Sequence, residues 1–170
     1  MASVPPYGIK VQMILGGKRA AELAQIIAPV GMHPQVGCER IGVASAIKMC
    51  RSIMIKGLEA LAVECLLTAR RYGVEEQVLA SLGETYPAMN WQQQGDYLIS
   101  RVVQHGRRRA AEMREVARTV EEAGLQPLLA APTAVRHDWL ADRVQEGTVS
   151  RDEKSWKAVA DAIKRKEDRK

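Results

Sequence analysis

The feature that most constrains this chain is the run from Val43 to Tyr72, where apolar residues recur at intervals of three and four with no proline to interrupt them. That period belongs to an α-helix. Arg70 and Arg71 stand in what would be the last turn, where cations complement the helix dipole, and Gly73 follows as a residue able to take the left-handed conformation that stops a helix. A helix this long buries its apolar side only against partners of similar length, so a mainly helical architecture is expected.

The remaining segments agree. Trp91 to Ala123 gives a second long helical pattern ended by Gly124, with Asn90 placed to cap it. Gly95 and Gly106 inside it each cost about 1 kcal/mol relative to alanine, which predicts close packing or a bend. Val74 to Leu82 reads as a short helix closed by Gly83, residues 126–146 as one or two helices broken or kinked at Pro132, and Ser155 to Lys166 as a final helix of mixed charge. The first forty residues differ. Ile9 to Leu15 is β-branched and partly alternating, Gly16-Gly17 is a turn, residues 18–31 form a helix stopped near Pro29 and Gly31, and Val36 to Ile41 is either one more short strand or an extended linker.

With 170 residues the chain can build one domain with a real core but not a second full one. Hydrophobic residues at 46% and charged residues at 26% exclude a disordered or membrane composition. The formal charge of +5 favours an anionic partner: a nucleic acid, an acidic metabolite or a phosphate-bearing cofactor. Of three widely spaced cysteines, Cys50 and Cys65 fall within the apolar run and are expected to pack there as small hydrophobes, which points to a reducing compartment. MASVPPYG lacks the pattern of a secretory signal, and no apolar stretch approaches the roughly 20 residues a bilayer requires, so a cytoplasmic location with no membrane partner is expected.

On a wheel of 100° per residue, Ser45, Lys48, Ser52, Lys56 and Glu59 fall within an arc of roughly 80°, opposite Ile47, Met54, Leu58, Leu61 and Cys65. So narrow a polar stripe on an apolar helix suggests the lining of a cleft rather than a solvated face. A partly buried lysine there would exchange a proton with a hydroxyl near neutral pH, and Ser52, one turn later, could bond the lysine or a substrate. The alternative is that Lys48 reaches water along its aliphatic stem while the serines bond back to helix carbonyls.

The stretch GVASAIKMCRS resembles the lysine-bearing motif of the β-hydroxyacid dehydrogenases, a superfamily that includes 6-phosphogluconate dehydrogenase. Its pattern is a glycine, a lysine six residues on, and an asparagine four after that. Gly42 and Lys48 match, while Ser52 stands at the asparagine's position. The longer run IGVASAIKMCRSIMIKGLEALAVECLLTARRYGVEE, with SRVVQHGRRRAAEMREVA, is similar to a branch of 6-phosphogluconate dehydrogenase-like proteins with their own helical C-terminal domain. The resemblance implies a mainly α fold, with residues 1–41 as a strand-turn-helix remnant of a Rossmann domain and residues 42–170 as a helical substrate-binding and dimerisation domain. It implies Lys48 as the proton-transferring residue, Ser45 and Ser52 as substrate contacts, a small anionic hydroxyacid as substrate, and a homodimer.

On the second long helix Tyr97, Arg101, His105, Arg109 and Glu112 share one face, and Arg107-Arg108-Arg109 concentrates positive charge suited to carboxylate or phosphate. The resembled family takes polar groups for its cleft from an analogous helix, which makes His105, Arg109 and Glu112 further substrate contacts. A solvated face with pairs such as Arg108–Glu112 is the other reading. His137 reads as a surface or interface histidine. No GxGxxG follows a strand, and Gly16-Gly17-Lys18 fits neither that pattern nor a P-loop. The resemblance implies NAD or NADP in the complete enzyme, and without such a motif this chain alone is expected to bind neither tightly and to be inactive by itself. Cysteine and histidine spacings support no metal site. The competing functions are a basic helical nucleic-acid-binding protein and a non-catalytic dimeric scaffold; interleaved acids and only 4% aromatics argue against the first.

Overall fold

The computed structural model describes residues 7–169, which pack as two compact units that divide after Arg51. In the first, strand β1 (Gln12–Gly16) and strand β2 (His33–Cys38) pair in parallel, Gln12 opposite His33 and Ile14 opposite Gln35, with helix α1 (Ala20–Ile27) connecting them. Parallel neighbours require such a crossover. The first strand begins three residues later than expected and the second three residues earlier, and the α-helix between them is shorter than the stretch 18–31 that the sequence suggests. Two positions depend on glycine. Gly17 leaves β1 at φ 124°, and a Cβ at Gly37 would stand 2.7 Å from the Ile14 side chain on the neighbouring strand. Ala20 is the only described residue of this unit that is fully buried, while Leu23, Ile26, Val30 and Val36 are exposed. A two-stranded sheet with its apolar side chains open has no core of its own.

The second unit is helical: the remainder of α2 (Val43–Tyr72), then α3 (Glu75–Thr85), α4 (Trp91–Glu122), α5 (Ala130–Gln145) and α6 (Trp156–Glu167). The ends expected at Asn90, Gly73 and Gly124 form: Asn90 Oδ1 accepts from the Gln93 amide at 3.1 Å, and both glycines take left-handed φ values as their neighbours bond back in Schellman fashion. Ser155, read as the first residue of the last helix, instead caps it, its Oγ accepting from the Ala158 amide. Two boundaries differ from the sequence reading. Gly83 does not close α3, which runs on to Thr85, because nothing beside it demands a turn. Pro132 does not break α5: it sits in the first turn, where its missing N–H would have had no helical partner.

The core gathers Val63, Leu66 and Leu67 of α2, Ile99, Val102 and Val103 of α4, Leu140 of α5 and Trp156, Val159 and Ile163 of α6. Both glycines of α4 are points of close approach. A Cβ at Gly95 would fall 2.6 Å from Leu66 Cδ1 and 2.9 Å from the Trp156 ring, and one at Gly106 would fall 2.9 Å from the His137 carbonyl oxygen. Here α4 meets α5 with backbone nearly against backbone. No helix among the described residues is long and apolar enough to cross a membrane.

Candidate functional site

The polar stripe of α2 divides in two. Ser45 and Lys48 are exposed, whereas Ser52, Lys56 and Glu59 are buried. Much of the opposite arc faces out: Met54 is 73% and Leu61 65% exposed while Leu58 is half-buried, and Cys50 and Cys65, expected to pack as small hydrophobes, are exposed thiols. From Ser52 onward the helix has turned its polar side to its neighbours. The reason lies on α4, whose charged residues supply partners that an apolar neighbour could not.

Lys56 is the hub of one half of the resulting network. Its Nζ donates to Ser52 Oγ at 3.1 Å and pairs with Glu112 Oε2 at 3.1 Å, and Arg108 holds the other oxygen of Glu112. Burial works to raise the Glu112 carboxyl, but Lys56 and the neighbouring guanidiniums outweigh it and hold it below the ordinary carboxylate range. One turn along α2, Glu59 is 1% exposed and accepts from Arg109 Nε at 2.8 Å and from Arg109 Nη2, a two-pronged contact inside the fold. Burial nonetheless leaves the Glu59 carboxyl above its usual range. Against this pair lies His137, fully buried, with Nε2 3.7 Å from Glu59 Oε2; the Lys56 backbone lies beside the ring, and neither ring nitrogen meets the geometry of a hydrogen bond. Burial, then the charges of Arg109 and Lys56, push its pKa down to about 4, so the ring is neutral at physiological pH. The expectation of a surface or interface histidine is thus corrected: the ring is turned inward onto the buried Glu59–Arg109 pair.

The three arginines turn to separate partners, Arg107 to Asp138 and Asp142, Arg108 to Glu112, and Arg109 to Glu59. Of the residues singled out on α4, Glu112 and Arg109 therefore enter the buried network with Ser52, and Tyr97 is exposed. His105 is half-buried, its pKa lowered by burial and then by Arg101, Arg108 and Arg109. Sequence reasoning placed Lys56 and Glu59 in the stripe but gave them no role. The signal was present: two charges eight and eleven residues after Lys48, with complementary charges at Arg109 and Glu112 on a second helix.

No group of three or more potential metal ligands occurs among the described residues. The turn between β1 and α1 does not fit a dinucleotide phosphate: the Gly17 amide already donates to the Cys38 carbonyl, and the Ala20 amide to the Gly17 carbonyl. A phosphate there would find these amides occupied.

Comparison with known proteins adds the context. A domain of unknown function, DUF1932, matches residues 69–140. Over 123 residues the chain is 32% identical to an uncharacterized 28.5 kDa protein from the 7S RNA 5′ region of Methanothermus fervidus, a match covering 71% of this chain and 47% of that one. A conserved hypothetical protein of Sinorhizobium meliloti 1021 superposes with a TM-score of 0.86 at 37% identity, over 97% of this chain and 55% of the other. The conserved protein MTH1747, of unknown function and described as structurally similar to 3-hydroxyacid dehydrogenases, superposes with a TM-score of 0.73 at 32% identity, over 86% of this chain and 56% of its own. The chain thus spans about half the length of the relatives it matches.

Proposed function

The chain belongs to the β-hydroxyacid dehydrogenase superfamily and carries its helical C-terminal domain, and from that premise we propose that it supplies substrate binding and dimerisation to an NAD(P)-dependent hydroxyacid dehydrogenase of 6-phosphogluconate dehydrogenase-like type. The observation that carries the reading is the Gly42, Lys48, Ser52 spacing at the start of α2. Gly42 takes a left-handed φ of 91° and α2 begins at the next residue, so Lys48 projects from its second turn as an exposed amine on a rigid element. On this reading the complete enzyme shields Lys48 from water, the condition under which an amine can take the proton of a substrate hydroxyl as it is oxidised and return it in the reverse direction. Ser45, Ser52, His105 and Glu112 provide the polar contacts to a small hydroxyacid, and Arg109 adds its charge while holding Glu59.

Oxidation itself requires NAD or NADP, which supplies the hydride acceptor. This chain's own glycine turn does not fit that cofactor, and on this reading the chain alone does not turn over substrate. The coreless strand-helix-strand of residues 12–38 suits the edge of a larger dinucleotide-binding sheet. The exposed Met54, Leu61 and Cys65 side of α2 suits burial against a second copy of the chain. The three free cysteines suit a reducing, cytoplasmic setting.

The test joins the chain to a dinucleotide-binding domain and measures oxidation of a panel of 3-hydroxyacids. Lys48→Ala should lower kcat by at least about a hundredfold, the usual worth of a positioned acid-base group. Wild-type turnover in that variant contradicts the assignment.

A further inference from the structure

Around His105 the balance of charge is not closed. Four permanent cations, Lys56, Arg101, Arg108 and Arg109, share one cluster with only two carboxylates, Glu59 and Glu112. Three of the cations are committed: Lys56 and Arg108 to Glu112, and Arg109 to Glu59. Arg101 is not. It forms no hydrogen bond or ion pair among the described residues, and its Nε is buried without an acceptor although the residue as a whole stays partly exposed. A buried guanidinium N–H left open is costly unless something from solution fills it. On α4, Arg101, His105 and Arg108 follow at intervals of four and three, so they lie on one face.

We propose that Arg101, with His105 and Arg108 beside it, forms a seat for a small oxyanion, a carboxylate or a phosphate monoester. Arg101 offers the planar pair of donors that such a group matches, His105 offers one neutral N–H, and Arg108 contributes charge while it stays on Glu112. The seat deepens the hydroxyacid reading by naming where the acid group rests, and depends on that reading only for the ligand's identity.

Chemical-shift titration of the full chain with inorganic phosphate and, separately, with 3-hydroxypropionate tests it without any cofactor. Saturable binding of at least one anion is expected, and the one that saturates identifies the class. Arg101→Gln should weaken it roughly tenfold to a hundredfold, the worth of charge-assisted hydrogen bonds. In the phosphate arm, which offers no substrate hydroxyl for Lys48 to meet, Lys48→Ala should leave binding unchanged, which separates this seat from the proton-transfer assignment. Failure of both anions to saturate, or wild-type affinity in folded Arg101→Gln, overturns the proposal. Should that variant unfold, Arg101→Lys decides by the same criterion: weaker binding supports the seat and unchanged binding overturns it.

Discussion

The two halves of one polar stripe have opposite fates. Ser45 and Lys48 stand in water, while Ser52, Lys56 and Glu59, one to three turns later on the same helix, are buried. Spacing is the same in both halves, so spacing does not decide burial. What differs is the supply of partners: Glu112 and Arg109 of α4 meet the later residues with complementary charge, and a lysine or glutamate becomes tolerable inside only when so met.

The largest test of this contrast breaks the innermost pair. Arg109→Met leaves the buried Glu59 without its hydrogen-bonding partner, and should remove roughly 3–5 kcal/mol of unfolding free energy in urea. Adding Glu59→Met should restore much of the loss, since two apolar side chains fill the site without a desolvated charge. A double variant as unstable as the single one would mean that the pair contributes net stability.

Next in size is an acid effect at His137. Its folded pKa of about 4 lies below the ordinary value of 6.5, so the unfolded chain binds the proton more readily. The corresponding stability is complete above pH 6.5 and falls away as pH drops from 6.5 toward 4, by up to about 3 kcal/mol. Glu59, whose carboxyl is raised, acts in the opposite sense, so His137→Leu is needed to isolate the histidine. That variant should show a flatter stability profile between pH 4 and 6.5; an unchanged slope would rule His137 out as its source.

A third comparison sets two glycines against each other. Gly106→Ala drives a methyl against the His137 carbonyl and should cost about 1–3 kcal/mol despite the better helix propensity of alanine. Gly57→Ala, on α2 with nothing within 4 Å of the added carbon, should gain up to about 1 kcal/mol. Thermal melts of both variants read the difference in sign.

Much of the fold was legible because it is written locally. Asn90, Ser155, Gly73 and Gly124 mark helix ends through chemistry confined to a turn, and the long periods of α2 and α4 leave no other assignment. Faces were less legible. A wheel shows that Met54 and Lys56 lie on different arcs but not which arc meets the next helix; that depends on residues such as Arg109, fifty positions from Glu59. Pro132 and Gly83 misled for a related reason, since the effect of each depends on its place within a helix and not on its identity alone. The burial of His137 depends on Glu59, far away in the sequence, against which its ring lies.

The central claim is that the two lysines of the stripe do different work, Lys56 holding the fold and Lys48 free for chemistry. Unfolding free energies of Lys48→Met and Lys56→Met, measured side by side in urea, test it most directly. The account predicts a change within about 0.5 kcal/mol for Lys48→Met and a loss of roughly 1–3 kcal/mol for Lys56→Met, which strips Ser52 and Glu112 of their shared donor. Equal losses, or the greater loss at Lys48, would contradict it.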